Sequence, residues 1–318
     1  MIDFRYFLVT IVAIFFALAV GIVLGSGPLE NTINGAIQNQ TNQLAAQKQA
    51  LQEQVAQLES DQKAQQTFTQ AIEPAVVAGV LTGRSVTLLV LPGASPDDIR
   101  ASSDVVDEAG GSVGGTVTVT DAWTDPAQRD VLQQLTASLA PATLRLPSDP
   151  YEAAAAVLST ALVDKVDHGT NRLSPTDAGI LAGYQEGGFV TLGGDDPSTI
   201  RRGTVTVIVA APVDTGADVT ALANQDASLL PLSDSFYRAG QGVVAAGPPS
   251  AAQPGGYLSA VRDSTLSGQV STDDLMPTPV GRTVLVLALQ EQLNGGSGHY
   301  GTGPGADTVV PPVTTPTP

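Results

Sequence analysis

Few side chains in this sequence of 318 residues are equipped for chemistry. It has no cysteine, two histidines (His168 and His299) and one methionine, Met276, besides Met1. No thiolate is therefore on offer as a nucleophile or a soft-metal ligand, and the fold relies on no disulfide. Neither histidine stands beside a serine in a nucleophile motif, and no HExxH pair or GxSxG elbow is present. The acidic doublets Asp97-Asp98, Asp195-Asp196 and Asp273-Asp274 carry oxygen ligands suited to a hard divalent cation. Acids at the start of helices also cap free N–H groups and complement the helix dipole, and that reading covers the first two doublets. Gly193-Gly194-Asp195-Asp196 is the most pocket-like stretch, because ligands of open α/β sheets collect beyond strand carboxyl ends. Trp123, the only tryptophan, follows a strand end and has two readings: a pocket or partner surface, or partly buried core. No catalytic site is legible, and the chain reads as a non-enzyme.

The elements that must position these residues begin near Arg84. Ser85–Leu91 (SVTLLVL) is a short apolar run stopped by Pro92-Gly93, as expected of a buried strand. Ser95-Pro96-Asp97-Asp98 starts a helix with a serine cap, proline at the first helical position and acids in the first turn. The same device recurs at Asp125-Pro126, Asp149-Pro150, Ser174-Pro175 and Asp196-Pro197. Strands are expected at 115–120, 188–192, 205–210 and 242–246, and helices at 126–139, 150–162, 175–186 and 283–293. This alternation predicts a Rossmann-like α/β head over 74–302, a mostly parallel sheet with helices on both faces. The first βα turn, Leu91-Pro92-Gly93-Ala94-Ser95, has neither dinucleotide nor phosphate-loop spacing. A Pro/Thr/Gly tail over 303–318 is too poor in apolar residues to pack and is expected to be disordered.

Ahead of the head lies the apolar run Phe7–Leu24, FLVTIVAIFFALAVGIVL, without a charge. At 1.5 Å per residue it gives about 27 Å of helix, close to a bilayer's hydrocarbon thickness. Arg5 precedes it and the next basic residue is Lys48, which favours an inside N-terminus and an exported remainder. A cleaved signal peptide is the rival reading, but the run exceeds the usual apolar length and its n-region is weakly basic. Residues 1–27 are therefore read as a retained single-pass anchor in the cell membrane. The net charge of −17 excludes a nucleic-acid partner, whose phosphates need clustered Lys and Arg.

Ala17, Gly21 and Gly25 put small residues on one face of the anchor, where two helices could approach closely. Over 28–73, Ile37, Leu44, Leu51 and Leu58 recur every seven residues, as coiled-coil d positions do. The matching a positions are mostly polar, including Asn34, Thr41, Lys48 and Gln62, which weakens a coiled coil while fixing its register. Two helices leaving one membrane together run parallel, so a parallel homodimeric stalk is expected, ending before Pro74. A single helix lying on the head is the alternative.

Several stretches together resemble one family. The N-terminal MIDFRYFLVTIVAIFFALAVGIVLGSGPL, the stalk, Gly115–Asp121, Thr278–Arg282 and Asn294–Ala306 (NGGSGHYGTGPGA) are similar to the mycobacterial copper transport protein B family of actinobacterial envelope proteins. The resemblance implies a membrane-associated protein that keeps intracellular copper low, pore-like in some members, while some relatives look like partners in septal cell-wall control. Within the shared GHYG segment, His299 is the candidate copper ligand and Tyr300 a candidate surface residue beside it. Cu(I) favours thiolate and thioether, and imidazole serves Cu(II), so these residues supply little copper chemistry of their own. No resident cofactor is expected. Two functions are carried forward: a copper-homeostasis component acting within an assembly, and a dimeric envelope scaffold whose head binds another protein.

Overall fold

The structure is a computed structural model describing residues 4–26, 29–166, 171–193, 199–214 and 216–312. The chain divides into two units, residues 1–65 and 66–318. In the first, helix α1 (Phe4–Ser26) is exposed along its length, and its Arg5–Gly25 stretch has a mean hydropathy of 3.0. Between Tyr6 and Gly25 the one polar side chain is satisfied internally, Thr10 Oγ1 donating to the Tyr6 carbonyl at 2.8 Å. Internal satisfaction is what a hydrocarbon environment requires of a hydroxyl. Helix α2 (Leu29–Val77) has exposed side chains from Gln40 to Phe68, braced by i,i+4 bonds such as Gln49 to Glu53 and Gln57 to Asp61. It does not stop before Pro74 but carries the proline inside its last turns. Pro74 forfeits one helical hydrogen bond, yet the turn is held because Glu73 and Val77 are buried against the head.

The second unit is built on a seven-stranded sheet of order β3-β2-β1-β4-β5-β6-β7. Its strands are β1 (Ser85–Val90), β2 (Ser112–Val119), β3 (Val190–Leu192), β4 (Val205–Val209), β5 (Val243–Ala246), β6 (Ser271–Asp273) and β7 (His299–Tyr300). All pairings are parallel except β2 with β3. The central strands β1 and β4 are buried at every residue, which is why they read as unbroken apolar runs.

Helices cover both faces. Leu89, Ile208 and Ala245 point into one core with α4 (Asp121–Thr124), α5 (Arg129–Leu139), α6 (Pro150–Leu162), α7 (Pro175–Glu186), α8 (Val219–Ala239) and α9 (Tyr257–Asp263). Leu88, Val207 and Val244 point into the other, with α3 (Pro96–Glu108) and α10 (Pro279–Leu293). The proline-linked caps form as expected at Ser95, Asp125, Asp149 and Ser174, while Asp196-Pro197 lies outside the described residues. Ser95 Oγ accepts from Asp97 N, Asp149 from Tyr151 N and Glu152 N, and Ser174 shares a reciprocal capping box with Asp177. Thr278-Pro279 is a further case, so α10 starts one turn before the expected Thr283.

The packed region runs past residue 302. Thr302 N and Gly303 N donate to Asp274, Asp307 N donates to the His299 carbonyl, and Gly301 N donates to the Thr308 carbonyl. Gly303–Thr308 is thus hydrogen-bonded along the β7 edge, where an unstructured tail was expected. Residues 313–318 lie outside the described residues.

Candidate functional site

His299 sits in the last strand, buried, within a network rather than an open site. Arg262 Nε donates to Thr272 Oγ1 at 2.8 Å, and Thr272 Oγ1 lies 3.0 Å from His299 Nδ1. The threonine hydroxyl keeps a second lone pair, so it donates to Nδ1 or accepts from it according to the tautomer of the ring. Nε2 is buried and without a hydrogen-bond partner. Burial, with Arg262 adding to it, lowers the His299 pKa, while Asp307 opposes the shift. The ring is thus held at Nδ1 by Thr272 and closed in by its neighbours at Nε2. Among the described residues, moreover, no group of three or more His, Cys, Asp or Glu could hold an ion. Met276 is buried in the core, and His168 lies outside the described residues.

The network has a structural purpose. Arg262 forms a buried ion pair with Asp274 at 2.9 Å, the two side chains 2% and 0% exposed, and also donates to the Tyr300 and Pro304 carbonyls. Asp274 in turn accepts from Thr302 N and Gly303 N. Gly301 adopts φ 135° beside that carboxylate, where a Cβ would lie 2.0 Å from Asp274 Oδ1. At Gly298 a Cβ would meet the Tyr300 hydroxyl at 2.3 Å. Close packing thus fixes both glycines of GHYG, Gly301 against the ion pair and Gly298 against the Tyr300 hydroxyl. Neighbouring Asp273 is buried, its Oδ1 accepting from Leu275 N and its Oδ2 unpartnered. Its pKa is raised well above the usual carboxylate range, chiefly by burial.

Tyr300 is 2% exposed and donates its hydroxyl to Glu291, so it presents no partner surface. Trp123 is also fully buried, its Nε1 donating to the Ser228 carbonyl at 3.0 Å and its ring 6.1 Å from that of Tyr184. Of its two readings, core is the correct one. Asp195 and Asp196 lie outside the described residues, but β3, which leads to them, is antiparallel. Its carboxyl end therefore exits at the amino edge of the parallel strands, away from the edge where ligands gather. Asp97 and Asp98 open α3, as helix-dipole pairing requires.

The sheet does form a crevice, at a place the sequence did not single out. Strand order reverses between β1 and β4, and beyond their carboxyl ends lies a cavity of about 570 Å³. Leu91–Gly93 and Ala211–Asp214 form its floor, and Asp121, Thr124, Asn224, Gln225, Asp226 and Tyr257 stand around it. The Pro92-Gly93 and Ala211-Pro212 breaks after two apolar strands were its only sequence signal. Half-buried Asp226 has its pKa raised to about 6 by desolvation. Tyr257 is pushed up by burial, a 2.7 Å bond to Ser233 opposing the shift and Asp226 adding to it.

A carboxyl whose folded pKa lies above its unfolded value favours the fold at low pH, and that contribution is lost as pH rises through about 6. Asp226→Asn is therefore expected to melt a few degrees higher than the parent at pH 8 and to show no gain at pH 4. Thermal melts at the two pH values check this, and an unchanged difference between them would contradict it.

In the anchor, Ala17, Gly21 and Gly25 are exposed, with nothing within 4 Å of the position a Cβ would take at either glycine. Leu44, Leu51 and Leu58 are about 60% exposed, at 59%, 62% and 61%. The Ile37 side chain lies outside the described residues.

The chain was compared with known proteins. Residues 1–311 match the family model described as "Copper transport outer membrane protein, MctB". A Mycobacterium tuberculosis H37Rv protein named "Copper transporter MctB" is 31% identical over 317 residues, covering 98% of this chain and 99% of its own. The Mycobacterium leprae protein of the same name is 28% identical over 320 residues, covering 98% and 100%. Through the apolar helix, the long polar helix and the sheet alike, the chain belongs to the MctB family.

Proposed function

We propose that this chain is a membrane-anchored component of copper transport that works through assembly, its head supplying no copper centre of its own. The observation that carries the reading is the end-to-end match to relatives named as copper transporters. The anchor is Arg5–Gly25, crossing the cell membrane once with its N-terminus cytoplasmic, so that the head lies outside. One helix per chain encloses no water, and a sheet covered by helices on both faces presents none to lipid. A conduit would therefore need several copies or another protein.

Assembly begins with a parallel dimer. Leu44, Leu51, Val55 and Leu58 form an exposed apolar stripe on α2, Ile72 continues it, and Val76 carries the same heptad pattern past the expected end of the stalk. Ala17, Gly21 and Gly25 provide the matching face in the membrane. A second reading, an envelope scaffold in cell-wall or division control, is favoured by the lack of any metal-ligating cluster among the described residues.

The test is intracellular copper, measured by mass spectrometry in cells deleted for their own family member and complemented with this chain. The parent and His299→Asn, which keeps an acceptor for Thr272, are expected to lower copper several-fold. The triple variant Leu44→Gln/Leu51→Gln/Leu58→Gln is expected to fail and to lose its dimer cross-link. Copper unchanged by the parent would leave the scaffold reading, whereas failure of His299→Asn alone would restore direct ligation.

A further inference from the structure

The crevice at the carboxyl edge of the sheet takes no part in the proposed assembly, and its chemistry is selective. Its floor and one wall are apolar, from Leu91, Pro92, Val213 and Leu229. Its polar side chains include three carboxylates, Asp121, Asp214 and Asp226, and among the described residues no lysine or arginine lines it. A concave site with apolar walls that is lined by one sign of charge concentrates the opposite sign and repels its own. Nucleotides and phosphorylated ligands, the usual occupants of this position in doubly wound sheets, are thereby excluded. The first βα turn agrees, since Pro92-Gly93 offers neither the glycine pattern nor the lysine of a phosphate cradle. At about 570 Å³ the space suits a small organic molecule, within the roughly 300–1,000 Å³ typical of such sites.

We infer that this crevice binds a small organic cation, a primary amine whose ammonium faces Asp226 and whose apolar body lies along Leu91, Pro92 and Leu229. Two observations favour a cation over a neutral polyol. Asp226 has no hydrogen bond from the protein among the described residues and is half-buried, so an ammonium donor would supply the pairing that its desolvation calls for. Asp214 is committed on one oxygen, Oδ1 accepting from Gly216 N at 2.8 Å, which leaves its charge in place but fewer acceptors for hydroxyls. Among the described residues, the other titratable groups lining the crevice are Asp121, Asp214 and Tyr257, none of them a source of positive charge.

The experiment uses the full chain in detergent, with an isosteric pair of probes, cyclohexylmethylamine and cyclohexylmethanol, followed by ligand-observed NMR and titration calorimetry. The amine is expected to bind at least tenfold more tightly than the alcohol at pH 7.5. That preference is expected to fade as pH drops below about 6, where Asp226 takes up a proton. Asp226→Asn should abolish the preference, and Ala221→Phe, placed at the exposed lip, should abolish binding while leaving the melting temperature close to the parent's. Equal binding of the two probes, or an amine signal unaffected by both variants, would overturn the inference. So would magnesium binding at the site with the amine inert, which would make it a hard-metal site instead. The outcome is independent of the copper measurement, because neither variant touches the anchor, the stalk or His299.

Discussion

Arg262→Met is expected to cost the head about 3–5 kcal/mol, the loss typical when one member of a buried ion pair is removed. Arg262 and Asp274 are 2% and 0% exposed, so the abandoned carboxylate cannot recover its hydration. The guanidinium also holds Thr272, Tyr300 and Pro304, and these acceptors would lose their donor together. Against a total stability of about 5–15 kcal/mol for an ordinary domain, such a loss leaves the fold marginal at 37 °C. Urea unfolding of the full chain, followed through the single buried Trp123, reads the change as a lower midpoint. Adding Asp274→Asn to Arg262→Met is expected to restore part of the loss, since it removes the uncompensated charge. A cost below about 1 kcal/mol would mean that the pair contributes no more than a surface bridge. The same variant bears on GHYG, because Gly301 packs directly against Asp274 of the ion pair.

Arg282→Met is the second large effect. Arg282 grips the buried Glu73 through two donors, Nε to Oε1 at 2.8 Å and the second to Oε2. Glu73 is 1% exposed and Arg282 22%, so the loss is expected at the lower end of about 3–5 kcal/mol, some water reaching the site. Its signature is local. Backbone amides of the last turns of α2, around Glu73–Val77, should exchange several-fold faster, while those of β1 keep their protection. Pro74 has already removed one hydrogen bond from that turn, and the ion pair is part of what holds it. Glu73→Gln in the Arg282→Met background should recover protection. If exchange rises equally throughout the sheet, the pair is a global support and not a clamp on α2.

Much of this fold was legible because its determinants are local. Alternating apolar runs such as Ser85–Leu91 and Val205–Ala210 are strands, and Ser, Asp or Thr followed by Pro starts a helix, as at Ser95, Asp149 and Ser174. Where local signals were weak, the reading fell short. Helix α8 was missed because Pro231 and a run of polar residues break its pattern, although Leu229, Leu232 and Phe236 bury one face. Strands β6 and β7 are three and two residues long and partly polar, so no periodicity marks them. Pro74 signalled a helix end that burial of Glu73 and Val77 overrides.

The sequence by itself determined the apolar helix, the heptad stripe, the alternation of strands with capped helices and the poverty of metal ligands. Each follows from residue type and from spacing within one or two turns or strands. Only the tertiary structure decided where the crevice lies, that β3 runs antiparallel and carries Gly193 to the far edge, and that GHYG closes a buried network. Those outcomes depend on pairings between distant segments, Arg282 with Glu73 across 209 residues and Arg262 with the Tyr300 carbonyl across 38. Pairings at such distances are selected by the burial of charge and the order of strands, quantities that no short window of sequence contains.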